Sequence, residues 1–252
     1  MSEKTPDLTS NLTSHPAQSV PVIAIDGPSG SGKGTITHRL AAALGFHILD
    51  SGALYRLIGL AARKHRVDLA DEGALADIAA QLDVNFVATD DAEEPLQVML
   101  EGEAVTRLIR TDDAGTDASM VARFPQVRNV LIQRQRAFAM APGLVADGRD
   151  MGTVVFTDAV LKIYLTASAE ARAERRYKQL KDKGMGVSLH ALFLSIQARD
   201  EQDMNRAVAP LKPAPDALVV DSTEMALDQV FATVLAAART RLGLAAAVDQ
   251  QA

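Results

Sequence analysis

A glycine-rich turn between an apolar run and a helical pattern is the stretch of this chain best suited to chemistry. Residues 20–25 predict a buried strand, and a helical pattern runs from Ile36 to about Leu44. Glycines between them leave successive backbone N–H groups uncovered, and these bind phosphate together with the positive end of the following helix. Lys33 adds a mobile positive charge that reaches the outer phosphates of a triphosphate. The sequence therefore predicts a triphosphate-binding loop made of Gly27, Pro28, Ser29, Gly30, Ser31, Gly32, Lys33, Gly34 and Thr35.

The loop departs at one position from the generic phosphate-binding pattern. Gly34 stands where a Ser or Thr usually follows the lysine, and the hydroxyl comes one residue later, on Thr35. This G-x-x-G-x-G-K-G-T form resembles nucleoside monophosphate kinases more than GTPases or motor ATPases. Because the hydroxyl is displaced, we assign no direct Mg²⁺ ligand from the loop, and Thr35 is only a candidate.

Further polar residues follow other predicted strands. Ser51, Tyr55 and Arg56 come after an apolar run at residues 46–50, and the stretch from Asp147 to Thr153 (DGRDMGT) follows another at residues 144–146. Ligands of open α/β sheets bind at the carboxyl ends of the strands. We therefore expect these side chains at one sheet edge, although helix packing of Tyr55, a solvated Arg56 and a capping turn at Asp147 are the plainer alternatives.

Two later helical segments concentrate charge on one face. Arg172, Arg175 and Arg176 are spaced i, i+3 and i+4, and Arg199, Asp203 and Arg206 are spaced i, i+4 and i+7. The first set repels itself unless an anion neutralises it, which favours a phosphate-binding lid over a solvated basic helix. The turn from Lys183 to Gly186 supplies hinge-like glycines for such a lid. For the second set, the alternative is a plain salt bridge between Arg199 and Asp203.

Alternating apolar strands and helices position these groups. Five strands, at residues 20–25, 46–50, 144–146, 160–166 and 217–221, predict an α/β fold with a parallel sheet covered by helices on both faces. Residues 82–110 break the pattern with short apolar runs separated by acidic turns, and these predict a small antiparallel insert. Ser119 and Arg128 fall on helices that follow the insert.

Composition limits the classes of function. The chain has 252 residues, no cysteine, a net charge of −6 and a pI of about 5.4, which argue against disulfides and against a broad nucleic-acid-binding surface. No apolar run approaches the ~20 residues that span a membrane. We expect a disordered tail at residues 1–19, one domain at residues 20–242, a frayed tail at residues 243–252, a cytoplasmic location and a monomer.

The candidate residues suit phosphoryl transfer. Its transition state needs positioning and charge neutralisation more than covalent help, and the five histidines lie without metal-ligand spacing. A phosphate acceptor is already anionic at neutral pH and needs no general base. A site rich in arginine without an obvious base therefore favours a phosphate over a hydroxyl group as the acceptor.

Four segments in this order resemble the bacterial cytidylate kinase family: GPSGSGKGT, LDSGALYR, ADGRDMGTVVF and RDEQDMNRAVAPL. The resemblance runs from about Val20 to Leu242. It implies the nucleoside monophosphate kinase fold, with a monophosphate-binding region at about residues 51–140, which includes the insert, and a helical lid at about residues 168–190. It also implies ATP as donor, CMP or dCMP as acceptor, and Mg²⁺ held by the nucleotide phosphates and water, with Thr35 and Asp147 as candidate ligands.

The same resemblance implies a role for each matching residue. Arg56, Arg149 and Arg206 hold the acceptor phosphate, and Lys33, Arg149, Arg206 and Asp147 form the catalytic group, with Asp147 close to the metal and the transferred phosphoryl. Cytosine is read by Ser119, Arg128 and Asp150, and the sugar is held by Arg199 and Asp203. Ser51 and Tyr55 complete the CMP site. The lid contributes Arg172, Arg175 and Arg176 to the ATP phosphates.

Two other functions remain open from the residues alone. A small-metabolite kinase of the shikimate type would need a hydroxyl acceptor and a general base, and would leave three phosphate arginines without a use. A non-catalytic nucleotide-dependent switch is the second alternative. A GTPase would carry Asn-Lys-x-Asp, which the sequence lacks, and a dead sensor should have lost Lys33 or the arginines.

Overall fold

The computed structural model describes residues 20–88, 96–182 and 184–244. Its strands are β1 Val22–Asp26, β2 His47–Asp50, β3 Val84–Ala88, β4 Leu96–Leu100, β5 Glu103–Ala104, β6 Leu144–Gly148, β7 Leu161–Thr166 and β8 Leu218–Asp221. Its α-helices are α1 Lys33–Leu44, α2 Ser51–Lys64, α3 Glu72–Ala80, α4 Asp112–Val121, α5 Pro125–Arg136, α6 Ala169–Asp182, α7 Leu189–Asn205 and α8 Leu227–Arg241.

Five strands form a parallel sheet in the order β2-β6-β1-β7-β8. Every residue of β1 and of β6 is buried, as expected for central parallel strands that are covered on both faces. The register pairs Asp26 with Gly148 and Asp50 with Asp147, so three strands end at the same level. The predicted fold class and its five parallel strands are confirmed.

Helices cover both faces of this sheet, because successive side chains of a strand point to opposite sides. Val22 and Ala24 of β1 belong to a core formed with α2, α3 and α5, whereas Ile23 and Ile25 belong to a second core formed with α1 and α8. Both cores are made mainly of Leu, Ile, Val and Ala. The sheet is therefore clamped from both sides, which fixes the loops at its carboxyl edge.

The insert forms a separate antiparallel sheet in the order β3-β4-β5. Its third strand is not one of the apolar runs from which the insert was predicted. The strand is Glu103–Ala104, and residues Leu108–Arg110 form a 3-10 turn. Val105 and Ile109 are buried in the core that includes α2, so core packing accounts for their apolar character.

Some expectations fall outside the described residues. These are the predicted tail at residues 1–19, most of the predicted tail at residues 243–252, and Lys183 of the predicted hinge. Helix α4 begins at Asp112, because the Thr111 side chain accepts a hydrogen bond from the Ala114 N–H and caps the helix. None of the helices in the described ranges has the length and apolar content needed to cross a membrane.

Candidate active site

A cleft of about 1250 Å³ opens at the carboxyl edge of the parallel sheet. It brings together nearly every residue that the sequence singles out. Gly27 and Pro28 precede the lining part of the loop, and the other predicted residues line the cleft: Ser29, Gly30, Ser31, Gly32, Lys33, Gly34, Thr35, Ser51, Tyr55, Arg56, Ser119, Arg128, Asp147, Arg149, Asp150, Arg172, Arg175, Arg176, Arg199, Asp203 and Arg206.

The phosphate loop starts with a backbone conformation that requires glycine. Gly27 has φ +152°, and a Cβ there would stand 2.0 Å from the Leu165 carbonyl oxygen. No side chain fits between the loop and β7 at this point. The Lys33 ammonium donates a hydrogen bond to the Pro28 carbonyl oxygen at 2.9 Å, so the loop wraps around its own lysine.

Lys33 and Asp147 are both buried, and their opposite charges interact. Burial and then the charge of Arg149 lower the Lys33 pKa to about 7. Burial and then the charge of Asp50 raise the Asp147 pKa to about 7, against the opposing effect of Lys33. Buried ionisable groups whose pKa values are shifted this far are typical of functional sites.

Acceptor-side charges gather around the turn after β6. Asp150 is 3% exposed, and one of its oxygens accepts a hydrogen bond from the buried Arg128 guanidinium. Its other oxygen lies 3.8 Å from Nη2 of Arg206, and Arg128 also donates to the Tyr55 hydroxyl at 3.3 Å. The Nη2 of Arg206 is buried and makes no hydrogen bond in the described residues. This cluster can both donate hydrogen bonds to a polar ligand and accept hydrogen bonds from it.

A second pair links the same turn to α7. Arg149 Nε donates to the buried Asp203 carboxylate at 2.8 Å. Arg199 lies one helical turn before Asp203, and burial followed by the charges of Arg149 and Arg56 lowers its pKa. Arg56 is half-buried in the cleft wall. Three guanidiniums that repel one another in this way favour an anionic ligand between them.

The three arginines of α6 make different contacts. Arg172 is buried and donates to Ser29 in the phosphate loop and to Asp200 on α7. Arg175 donates to the carbonyl oxygens of Ser222 and Thr223 after β8. Arg176 is one-third exposed and pairs across the cleft mouth with Asp112 at 3.1 Å. Arg172 and Arg175 thus hold protein groups, and their predicted contact with ATP phosphates stays a prediction.

Comparison with known proteins identifies the family. The family model described as Cytidylate kinase matches residues 23–240, which is most of the chain. The chain belongs to the cytidylate kinase family. The match covers all three parts of the site: the phosphate loop, the turn after β6 and the charged faces of α6 and α7.

Curated cytidylate kinases are similar over almost their whole length. The protein from Aeromonas hydrophila is 60% identical over 226 residues, which cover 90% of this chain and 97% of the relative. The protein from Pseudomonas paraeruginosa is 61% identical over 216 residues, which cover 86% and 94%. Among solved structures, a shikimate kinase from Bacteroides thetaiotaomicron has 13% identity and a TM-score of 0.43 over 89% of this chain and 99% of that one.

The structure adds one residue to this cytidylate kinase site that sequence reasoning missed. Asp26 ends β1 and is 4% exposed, and its two oxygens accept from the N–H groups of Met151 and Gly152 at 2.7 and 2.8 Å. Met151–Val155 is one turn of π-helix directly after Asp150. Asp26 therefore anchors the turn that carries Arg149 and Asp150. The available signal was a carboxylate ending an apolar strand just before the phosphate loop.

We predict that Asp26→Asn lowers kcat/KM for CMP by about tenfold or more, because misplacing a binding group by ~1 Å costs up to about 10²-fold. The asparagine amide has one oxygen for two N–H donors, and its NH₂ opposes the second donor. Steady-state kinetics at fixed ATP measure the effect. Asp71→Asn is the matched control, because Asp71 also accepts a hydrogen bond from a backbone N–H, that of Ala74 at 3.0 Å, but it is exposed at the N-terminus of α3. Equal kinetics for both variants would show that the turn holds without Asp26.

Ionisation of the buried Asp147 carboxyl should make the stability of the folded protein depend on pH. The folded pKa near 7 lies above the ordinary value of 3.8, so ionisation costs the folded state stability as pH rises between these values. The whole cost is present above pH 7. Asp147→Asn removes it and should raise Tm at pH 8 by on the order of 5 °C, since 1 kcal/mol corresponds to about 2–4 °C for a chain of this size.

The measurement is thermal unfolding at pH 8 and pH 5 without nucleotide and in the presence of EDTA. The gain in Tm should shrink at pH 5, where the folded carboxyl is mostly protonated. Asp158→Asn is the control, because Asp158 is exposed and lies outside the cleft lining. An Asp147→Asn variant that is no more stable than the unsubstituted protein at pH 8 would show that ionisation of Asp147 does not destabilise the folded state.

Proposed function

We propose that this protein transfers the terminal phosphoryl group of ATP to CMP and dCMP, giving ADP with CDP or dCDP. The observation that carries the proposal is the buried Arg128–Asp150 pair, with Arg206 beside it, in the same cleft as the phosphate loop. Membership in the cytidylate kinase family supports this substrate choice. A small-metabolite kinase would have no use for so many cations on the acceptor side.

The proposed roles follow the order of charges along the cleft. The loop N–H groups and Lys33 bind the donor phosphates, and Lys33 stabilises the charge that develops on the leaving oxygen. Arg56, Arg149 and Arg206 hold the acceptor phosphate, which reduces the repulsion between two anions that must meet. The pairing of Arg149 with Asp203 preorganises that guanidinium before the acceptor arrives. Arg199 and Asp203 hold the sugar, and Ser51 and Tyr55, which also line the cleft, complete the CMP site.

Base recognition is assigned to Ser119, Arg128 and Asp150. Cytosine has acceptors at N3 and O2 and a donor amino group at N4. Arg128 donates to the acceptors, and Asp150 and Ser119 accept from the amino group. The pair is nearly free of solvent exposure, at 3% and 4% for the two side chains, so an unmatched base edge would leave a buried polar group without a partner.

Mg²⁺ fits the donor groups that the cleft provides. Among the described residues there is no cluster of three or more His, Cys, Asp or Glu that could cage a metal, whereas Mg²⁺ in such enzymes needs only one or two carboxylates beside phosphates and water. The Asp147 carboxylate lies 4.0 Å from where a Cβ on Gly34 would stand, and Thr35, the next residue in the chain, is exposed in the cleft lining. We propose that Asp147, with Thr35, orients the hydrated ion, whose positive charge neutralises the transferring phosphates.

The proposed organisation is one kinase domain at residues 20–242. Its monophosphate-binding region spans about residues 51–140, and its lid spans about residues 168–190. The contact of Arg176 with Asp112 spans the mouth of the cleft between these two regions. We propose a monomer that acts in the cytoplasm.

A panel of acceptors tests the proposed function. ADP release is followed with ATP and Mg²⁺ in the presence of CMP, dCMP, UMP, AMP, GMP or shikimate. The expected result is turnover with CMP and dCMP well above the other four. Turnover with shikimate would favour the small-metabolite kinase, and nucleotide binding without turnover on any acceptor would favour the switch.

A further inference from the structure

Buried Arg172 and partly buried Asp200 form an ion pair whose contacts reach both halves of the cleft. The side chains are 3% and 13% exposed. Nη1 of Arg172 donates to Asp200 Oδ1 at 3.0 Å, and Nη2 donates to the other carboxylate oxygen. The two parallel contacts form the bidentate geometry of a strong arginine–carboxylate pair. The pair joins α6 to α7.

The same guanidinium also holds the phosphate loop. Nη1 donates to the Ser29 carbonyl oxygen at 2.9 Å, and Nε donates to the carbonyl oxygens of Ala167 and Ser168, just before α6. Four of the five N–H donors of this guanidinium therefore meet protein acceptors. A Cβ on Gly30 would stand 3.5 Å from the Arg172 Cβ, so the loop packs directly against the stem of this side chain.

Asp200 occupies a position on α7 that matters for the acceptor. Its neighbour Arg199 lines the cleft, and Asp203, three residues later and on an adjoining helical face, accepts from Arg149 at 2.8 Å. A shift of α7 at Asp200 therefore moves both groups. The chain of contacts runs from Ser29 through Arg172 and Asp200 to the residues proposed to hold the sugar and the acceptor phosphate.

We propose that Arg172 and Asp200 are positioning residues that couple the donor half of the cleft to the acceptor half. A triphosphate that orders the phosphate loop fixes Ser29, and the pair passes this order to α7. CMP then binds to side chains that are already in place, so less ordering has to accompany its binding. The inference rests on the proposed function and assigns Arg172 to the protein scaffold instead of to the ATP phosphates.

Coupling between two ligands is measured directly by calorimetry. CMP is titrated into the protein alone and into the protein saturated with a non-hydrolysable ATP analogue and Mg²⁺. The unsubstituted protein should bind CMP about fivefold or more tightly in the presence of the analogue, within the usual range for coupled sites. Asp200→Asn and Arg172→Gln should each bring that factor close to one. The double variant should be no worse than the more damaging single variant, because both act through one link.

The test includes a control variant, a check of folding and a substitute variant for Arg172. Asp228→Asn is the matched control, because its salt bridge with Arg39 joins α8 to α1 outside the cleft lining, and this variant should keep the full coupling factor. Thermal unfolding checks that each variant is folded. Should Arg172→Gln fail to fold, Arg172→Lys takes its place, because an ammonium keeps the charge but cannot hold Ser29 and both Asp200 oxygens together.

Two results would overturn the link. One is an unsubstituted protein whose CMP affinity does not respond to the analogue. The other is an Arg172→Gln variant that loses about tenfold in analogue affinity while Asp200→Asn behaves as the unsubstituted protein, since that pattern belongs to a phosphate ligand. CMP turnover by the unsubstituted enzyme is measured alongside. Its absence would overturn the proposed function itself and the link with it, whereas either result above leaves the proposed function intact.

Discussion

Replacement of Lys33 by alanine is expected to lower kcat by on the order of 10²-fold or more, the scale for losing one preorganised electrostatic donor. The lysine is 6% exposed, and its ammonium is held by the Pro28 carbonyl oxygen at the base of the loop. In the transition state its charge stabilises the oxygen that bridges the donor phosphates. Steady-state turnover with saturating ATP and CMP measures the effect.

Lys64→Ala is the matched control for this variant. Lys64 lies on α2 and pairs with Glu101 and Glu103 at 3.1 and 3.0 Å, outside the cleft lining. It should keep normal turnover. The Lys33 variant should stay folded, because burial already lowers the pKa of this lysine to about 7 and so disfavours its charged form. Near-normal turnover in Lys33→Ala would contradict the assignment of the phosphate loop.

Asp150→Asn is expected to lower kcat/KM for CMP and to narrow the CMP-to-UMP ratio by about tenfold or more, since one decade is ~1.4 kcal/mol. Uracil offers N3–H and an O4 acceptor, the reverse of cytosine. A carboxylate cannot donate to O4, so UMP leaves two acceptors facing each other, and a matched pair contributes roughly 1–3 kcal/mol of discrimination. An asparagine amide can donate to O4, so this discrimination falls.

The contacts of Asp150 in the structure mean that the Asp150→Asn variant can also act by misplacing neighbouring arginines. Asp150 also contacts Arg128 and lies 3.8 Å from Arg206, so the variant weakens the hold on two guanidiniums. The ratio of kcat/KM for CMP and UMP separates these roles, because loss of positioning lowers both values together. Asp158→Asn controls for the substitution at an exposed site on the same segment. A large loss with an unchanged ratio would mean that Asp150 orients the arginines and does not read the base.

The sequence was sufficient for the groups whose spacing is local. The phosphate loop could be predicted because its strand, glycines, lysine and helix are contiguous, and the five parallel strands because each is a short apolar run. The cleft could be predicted from strand ends, since parallel strands bring their carboxyl ends to one edge. Arg149 and Asp150 were found in this way.

Contacts between distant segments could not be predicted. Asp26 has its partners 125 and 126 residues away, so its sequence neighbours give no sign of the turn that it anchors. The spacing of Arg172, Arg175 and Arg176 predicted a shared face, but their partners lie on the phosphate loop, α7, the end of β8 and α4. An arginine that binds a backbone carbonyl and one that binds a phosphate have the same sequence signature.

The most direct test of the central claim follows the phosphoryl group itself. The enzyme is incubated with CMP and ATP labelled at the terminal phosphate, and the products are separated by chromatography over time. Direct transfer between the two halves of the cleft predicts labelled CDP and unlabelled ADP in equal amounts, with almost no inorganic phosphate. Labelled inorganic phosphate with ADP and without CDP would contradict the account, because the cleft would then deliver the phosphoryl group to water.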